Sequence, residues 1–408
     1  MAAHASGQLP APHGQVPAAT FVEELFGHLP RADQRRWALA YMQGLLSTPG
    51  KKSVRRLAAT ISTSPTASQS LHQFINASPW NWKPARQELL RWVEQRAQGQ
   101  AWTIGLALLP KRGEHSVGVH RRFVQESGRT LNCQVGVGAF LSTGGMELPV
   151  DWRLLLPDQW RQDPQRRLRA RIPDAAAHDR QVWSHILDLA DSLASRTRTT
   201  LPPLVADMSE CTDTAALMLG LSQRGRDFLL TVPNSLPVLS CARSAGRQPG
   251  GPGPAAPLGA RQLLSLSGSG RHPHTATVST HDGATRPVRI LSGLARLPQA
   301  GPCTGSRQHI YRLFTELRPA GAQLSRMWVT NMTNRRMDEL LPLTGLPTVT
   351  ATTLHDLGTH FGLLDFEGRS FPGWHHHMTL LSAAYAYHRL AGSTLLPPHA
   401  QASGLRSA

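Results

Sequence analysis

The spacing of apolar residues changes at Ala101, and no single element can carry both sides of that change. From Phe21 to about Gln98 apolar residues recur at helical intervals, as in Phe21, Val22, Leu25, Phe26 and Leu29. Residues 31–46 continue as an amphipathic helix with a basic first turn, and Lys51, Lys52, Arg55 and Arg56 open the next helix. Residues 78–83 read as a turn before a further helix over 84–98. Past Ala101 the pattern is extended. Residues 101–110, 116–120, 132–141 and 150–157 read as strands with Gly, Lys and Arg turns between them. A helix is expected over about 178–195, then a strand over 203–206 that ends in Asp207, then a helix from Asp213.

The Asp207 strand carries the most information. Its apolar run, Pro203-Leu-Val-Ala, ends in one carboxylate and then turns polar. A buried parallel strand that delivers an acid to the carboxyl edge of a sheet reads this way. A second role is open to Asp207, capping the helix that follows, because Asp is a favoured cap. Three adjacent strands, a helix, a strand and a helix make the start of an α/β domain of RNase H-like type. Residues 241–285, with Arg247-Gln-Pro-Gly-Gly-Pro-Gly-Pro and Leu266-Ser-Gly-Ser-Gly, interrupt it as a linker or a loosely built insertion. Strands are expected again at 288–291, 310–314 and 327–332, followed by a helical C-terminal region.

Charge narrows the class of partner. Lys and Arg number 43 against 26 Asp and Glu, a formal net charge of +17 and a pI near 11.1. A surplus of that size points to a polyanion, and nucleic acid is the first choice because phosphate contacts supply most sequence-independent affinity. Short helices with basic ends and interleaved tryptophans suit a helix-turn-helix-like module over residues 19–99. The cysteines (Cys133, Cys211, Cys241 and Cys303) are scattered without a C-x-x-C pair. They fit a reducing compartment and neither a zinc ribbon nor a disulfide framework. No signal-like leader and no spanning apolar run is present, so the expected location is cytoplasmic and nucleoid-associated, without membrane.

Four ordered motifs carry a family resemblance. They are Lys111-Arg-Gly-Glu-His-Ser-Val-Gly-Val, Leu131-Asn-Cys-Gln-Val-Gly-Val, Leu148-Pro-Val-Asp-Trp-Arg-Leu-Leu-Leu-Pro-Asp-Gln-Trp, and Leu364-Asp-Phe-Glu-Gly-Arg-Ser with Gly373-Trp-His-His-His-Met-Thr-Leu. From about Phe21 to Leu390 the chain resembles the bacterial insertion-sequence DDE transposases of the IS-seven-zero-one branch of the IS-four superfamily. The resemblance implies an RNase H-like domain with an N-terminal helical module and an insertion before the last catalytic helix. The expected division is a disordered leader over 1–18, the helical DNA-binding module over 19–99 and the first part of the RNase H-like domain over 100–240. An insertion over 241–325, the domain's C-terminal part over 326–392 and a tail over 393–408 complete it.

In that family three carboxylates hold two Mg²⁺ ions, which activate a nucleophile and stabilise the leaving 3′ oxygen of a phosphodiester. Here the motif alignment places Gly105 and Leu106 where the first acid belongs, and Asp207 at the second. Ala351 stands at the third, with Thr348 and Gly358 where the family has Trp and Lys. One carboxylate cannot hold two divalent ions about 3.5–4 Å apart, so Asp207 is a weak metal ligand at best and no bound metal is expected. The expected function is a transposase-derived DNA-binding protein without strand cleavage. Two other readings stay open: an active transposase using displaced acids (Glu114, Glu210, Asp213 or Asp356), and a basic structural, RNA- or protein-binding factor. Arg35, Arg36, Lys51, Lys52, Arg55, Arg56, Lys111 and Arg112 are the candidate contacts to duplex DNA, and a homodimer is a candidate assembly. The Trp374-His-His-His tract has the composition of a metal site; its relatives' Trp-x-x-His implies packing instead.

Overall fold

The computed structural model describes residues 16–124, 128–178, 181–241, 256–266, 273–279, 285–298, 309–317 and 326–391. Five helices come first: α1 (Ala18–Phe26), α2 (Ala32–Ser47), α3 (Val54–Ile61), α4 (Ala67–Asn76) and α5 (Trp82–Glu94). Their apolar stripes converge, with Phe21, Leu25, Tyr41, Leu45, Leu57, Leu71 and Leu89 all buried in one core. α5 starts where the Asn81 side chain accepts from the Lys83 N–H, which satisfies one of the donors a helix start leaves unpaired.

The extended half opens with β1 (Gly99–Pro110), β2 (His120–Val124), β3 (Arg129–Thr143) and β4 (Met146–Leu154). β3 runs antiparallel to β1 on one side and to β2 and β4 on the other. The strand expected over 116–120 is a turn instead. Val119 N–H donates to Ser116 C=O, and Gly118 adopts φ +78°, a left-handed conformation that ends any extended run there. Next come α6 (Asp158–Arg161), α7 (Pro164–Ala170), α8 (Val182–Arg196), β5 (Leu204–Asp207), α9 (Thr214–Gln223) and β6 (Phe228–Val232). β5 lies parallel to β1, with Trp102 level with Leu204 and Ile104 level with Ala206, so residues 103–108 and 204–206 share one sheet as expected. β6 was not anticipated. Its run Phe228-Leu-Leu-Thr-Val is buried on both faces and therefore lacks the alternation that signals a strand.

β7 (Pro237–Ser240) follows, and the stretch expected as an insertion adds strands to the same sheet: β8 (Leu258–Gly259), then α10 (Ala260–Ser265), β9 (His274–Ser279), β10 (Thr285–Arg296) and β11 (Tyr311–Glu316), with β12 (Met327–Thr330) after it. Among the described residues the sheet has twelve strands, ordered β2-β3-β1-β5-β6-β12-β11-β10-β7-β8, with β4 on β3 and β9 on β10. Most of the Pro/Gly-rich stretch, like the expected leader and tail, lies outside the described residues. The chain ends with α11 (Met337–Leu340), a 3₁₀ segment (Leu341–Gly345), α12 (Leu346–His360) and α13 (Phe371–Leu390).

α13 is buried nearly all round, which is the signature of a helix enclosed by protein on every side. The N-terminal helices close over it on one side and β4 on the other. Phe21 packs edge-on against Trp92 and beside Tyr387, and Tyr41 Oη bonds His377 Nδ1 at 2.9 Å. α12 packs over β1 and β5. No helix among the described residues is long and apolar enough to cross a membrane.

Candidate active-site cleft and nucleic-acid interface

Asp207 ends β5, and its side chain is committed to local hydrogen bonds. Oδ1 accepts from Ser209 N–H at 3.1 Å, from Ser209 Oγ at 2.6 Å and from Thr231 Oγ1 at 2.5 Å. Oδ2 faces the guanidinium of Arg326 at 3.7 Å. Partial burial works to raise this carboxyl, but the Ser209 and Thr231 donors, with Arg326 behind them, bring it below the ordinary range. Asp207 therefore stays ionised and turns the chain back on itself. The cap of α9 is another residue, Asp213, which makes no side-chain cap bond.

Gly105 lies one residue beyond the last paired position of β1 and β5, level with Asp207 and on the same face, about 4.8 Å away across one strand spacing. That face meets α12. A Cβ on Gly105 would stand 2.9 Å from Leu354 Cδ1 and from Thr350 Cγ2, and 3.2 Å from Phe140 Cε2. Ala351 lies between Thr350 and Leu354 in sequence and is exposed on α12. While Ala351, on the same helix, is exposed, Leu354, Thr350 and Phe140 thus fill the space beside Gly105. Beneath it, Thr350 Oγ1 donates to Thr103 Oγ1 at 2.9 Å and Thr103 Oγ1 donates to Glu147 Oε2 at 2.6 Å. Glu147 is an acid that the sequence did not single out. Burial pushes its carboxyl up to about 7 despite hydrogen bonds from Thr103 and Ser142. It lies on β4, and its carboxylate reaches across to Thr103 of β1.

The other acids considered go elsewhere. Glu210 and Asp213 line a cavity of about 340 Å³ with Asp158 and His120, Glu114 lines another with Arg166 and Arg369, and Asp356 stands 3.9 Å from His360. Among the described residues no group of three or more His, Cys, Asp or Glu side chains is placed to hold a metal ion. The cleft's donor set, one carboxylate with hydroxyls and a guanidinium, does not fit a pair of divalent cations. The histidine tract is spent on packing. His375 stacks on Trp82 at 4.5 Å, His376 stacks on Trp80 at 3.8 Å between the carbonyls of Ile75 and Trp80, and His377 stacks on Phe366.

The candidate DNA contacts divide by exposure. Arg36, Arg55, Arg56 and Arg112 are exposed, and so is Lys51, which pairs with Glu367 at 2.6 Å. Arg35 is half-buried and donates to Leu29 C=O. Lys52 is buried at the edge of the same groove, its ammonium bonded to Thr48 C=O, so it offers a phosphate less than an exposed cation does. Lys111 turns inward to the carbonyls of Leu364 and Phe366, and burial lowers it to about 8 against the pull of Asp365 and Glu367. Lys51 and Arg55 line a groove of about 1170 Å³ between α3, α4 and the 365–370 loop. Its other wall brings in Arg169, Arg171 and Arg369, which sequence reasoning missed. The available signal was the arginine run of α7, Arg166-Arg-Leu-Arg-Ala-Arg171, with Leu168 strongly exposed among them.

A large mixed α/β sheet with an acid at the end of a central strand and a helix lying over it is the architecture of a DDE-type nuclease. The chain belongs to the DDE superfamily endonucleases, whose family model matches residues 24–296. The match takes in Gly105 and Asp207 and ends before α12 and Ala351. No curated protein matches the chain.

Proposed function

We propose that this protein is a DNA-binding descendant of an insertion-sequence transposase, of the IS-seven-zero-one kind, that has lost two-metal strand cleavage. In this reading β1, β3, β4, β5 and β6 are the RNase H-like core, and β8 to β11 are the insertion before the last catalytic helix, α12. The observation that carries it is the hydrocarbon beside Gly105, one residue past the last paired position of β1 and β5, where the partner carboxylate of Asp207 would stand. Mg²⁺, the family's expected cofactor, would meet one carboxylate already engaged by three donors and by Arg326.

Duplex DNA is the partner, held by Lys51, Arg55, Arg169 and Arg369 of the basic groove and by the exposed Arg56 and Arg112. Neutralising six phosphates gives a log–log salt slope of roughly −5. The test pairs two measurements on the full chain. Duplex binding is titrated at several salt concentrations, and nicking and end-joining are assayed with Mg²⁺ and Mn²⁺. A steep slope without cleavage supports the reading. Metal-dependent cleavage that Asp207→Asn abolishes would make the protein a live transposase, and a flat slope would remove DNA as the partner.

A further inference from the structure

A second cationic site lies away from both the cleft and the groove, where α5 meets β4 and α8. Its centre is Asp151, the acid of the Leu148-Pro-Val-Asp-Trp-Arg motif, which is 2% exposed. Asp151 Oδ1 accepts from Arg86 Nη1 at 2.8 Å, Arg153 Nη1 at 2.9 Å and its neighbour's N–H, that of Trp152, at 2.8 Å. Oδ2 accepts from Arg196 Nη2, with Ser192 Oγ at 3.4 Å. One carboxylate is saturated by three guanidinium groups. Arg86 is fixed further by Thr379 Oγ1 and the carbonyls of Trp152 and His375, so it is spent within the core. Arg153 and Arg196 are only partly buried, and each carries five N–H donors, more than these bonds use.

Those side chains open into a cavity of about 350 Å³ that Lys83 and Trp82, at the start of α5, also line. Lys83, Arg86, Arg153 and Arg196 face a single acid there, an excess of three positive charges. The thirteen-residue α5 adds the positive end of its dipole. The repulsion shows on Arg86: burial lowers it to about 10, Asp151 opposes that, and Arg153 and Arg196 add to the lowering.

We infer that this cavity is a binding site for a phosphate dianion, either inorganic phosphate or a phosphomonoester such as a nucleotide or a 5′-phosphorylated strand end. A dianion answers most of the excess charge, where a carboxylate would answer a third of it. A cavity of about 350 Å³ has room for a phosphate with its sugar but not for a duplex. Bound there, the ligand would bridge α5 to β4 and α8, the seam between the helical module and the sheet.

The experiment is calorimetric titration of the full chain with inorganic phosphate and, separately, with a 5′-phosphorylated dinucleotide, at ionic strength held constant with chloride. Saturable one-site binding is expected. Lys83→Gln should weaken it about tenfold, the loss of one charge-assisted hydrogen bond. Lys83 is exposed and bonds nothing in the Asp151 cluster among the described contacts, so this variant leaves the buried network intact. Arg153→Gln should weaken binding similarly, and Arg369→Gln, in the DNA groove, should leave it unchanged. Tighter binding of the dinucleotide assigns the site to a strand end or nucleotide, and equal or tighter binding of phosphate assigns it to the free ion. Heats that do not saturate, an unchanged Lys83→Gln, or a loss in Arg369→Gln would overturn the proposal. Because the groove variant is scored separately, failure here does not bear on DNA binding.

Discussion

Replacing Glu147 with Gln tests whether the floor of the cleft holds a protonated acid. Glu147 is 1% exposed, accepts from Thr103 Oγ1, and has a carboxyl raised from 4.5 to about 7. Between those values the unfolded chain has released the proton while the folded chain still holds it. Folding stability therefore falls as pH rises through this window, by about 1.4 kcal/mol per unit, or about 3 kcal/mol in all. Gln carries no charge to desolvate and its carbonyl keeps the Thr103 bond. Its amide replaces Oε1, an atom with no hydrogen-bond partner among the described residues, and that unpaired donor costs about 1–3 kcal/mol. Glu147→Gln should thus be destabilising by about 1–3 kcal/mol at pH 4.5 and neutral to stabilising by about 2 kcal/mol at pH 8. The assay is urea unfolding of both proteins at pH 4.5, 6 and 8. A difference between them that does not change with pH would refute the argument, because it would mean that Glu147 titrates alike in the folded and unfolded states.

Removing Asp151 as Asp151→Ala should cost about 3–5 kcal/mol in urea unfolding, since it strands the buried Arg86 without its counter-charge. Asp151 is held well below the ordinary carboxylate range by Arg153, Arg86 and Arg196 against the opposing effect of burial, so its contribution is present above about pH 4 and fades as pH falls below that. Gly105→Asp alone should lose about 1–3 kcal/mol from the clash with Leu354 and Thr350. Combined with Leu354→Ala and Ala351→Glu it should gain paired Mn²⁺ binding by calorimetry, and no gain in a folded triple variant would show that the acid positions are misplaced.

How much of this was legible in sequence depended on what each residue had to touch. The period change at Ala101 and the Asp207 strand were readable because both are set by neighbours along the chain. β6 was not, because a strand buried on both faces reads like any apolar run. Lys52 and Lys111 looked like surface cations, and only the 362–366 loop folding back on them shows otherwise: Lys52 N–H meets Asp365 Oδ2 at 2.7 Å, and Lys111 Nζ meets Phe366 C=O at 2.6 Å. The Asp151 motif was recognised as a signature, yet its three arginines lie 65, 2 and 45 residues away, so its role as a buried ion cluster was invisible. Arg326 facing Asp207 is equally non-local.

Those two arginine arrangements bear on where DNA would sit. Three carboxylates with two divalent ions carry a net +1, and that charge draws the scissile phosphate into the cleft of an active enzyme. One carboxylate beside one guanidinium carries none, so Asp207 and Arg326 give a phosphate little reason to enter. Under the proposed function the attraction is displaced to the groove walled by Arg55, Arg169 and Arg369. That groove adjoins the far end of β1, where Lys111 meets the 364–366 loop six residues beyond Gly105, about 20 Å along the strand. Under the proposed function, affinity and chemistry therefore separate in space. Neutralising the groove should abolish duplex binding, while Asp207→Asn should leave it intact. In a metal-dependent enzyme, by contrast, the acids and the DNA contacts would be coupled through the ions.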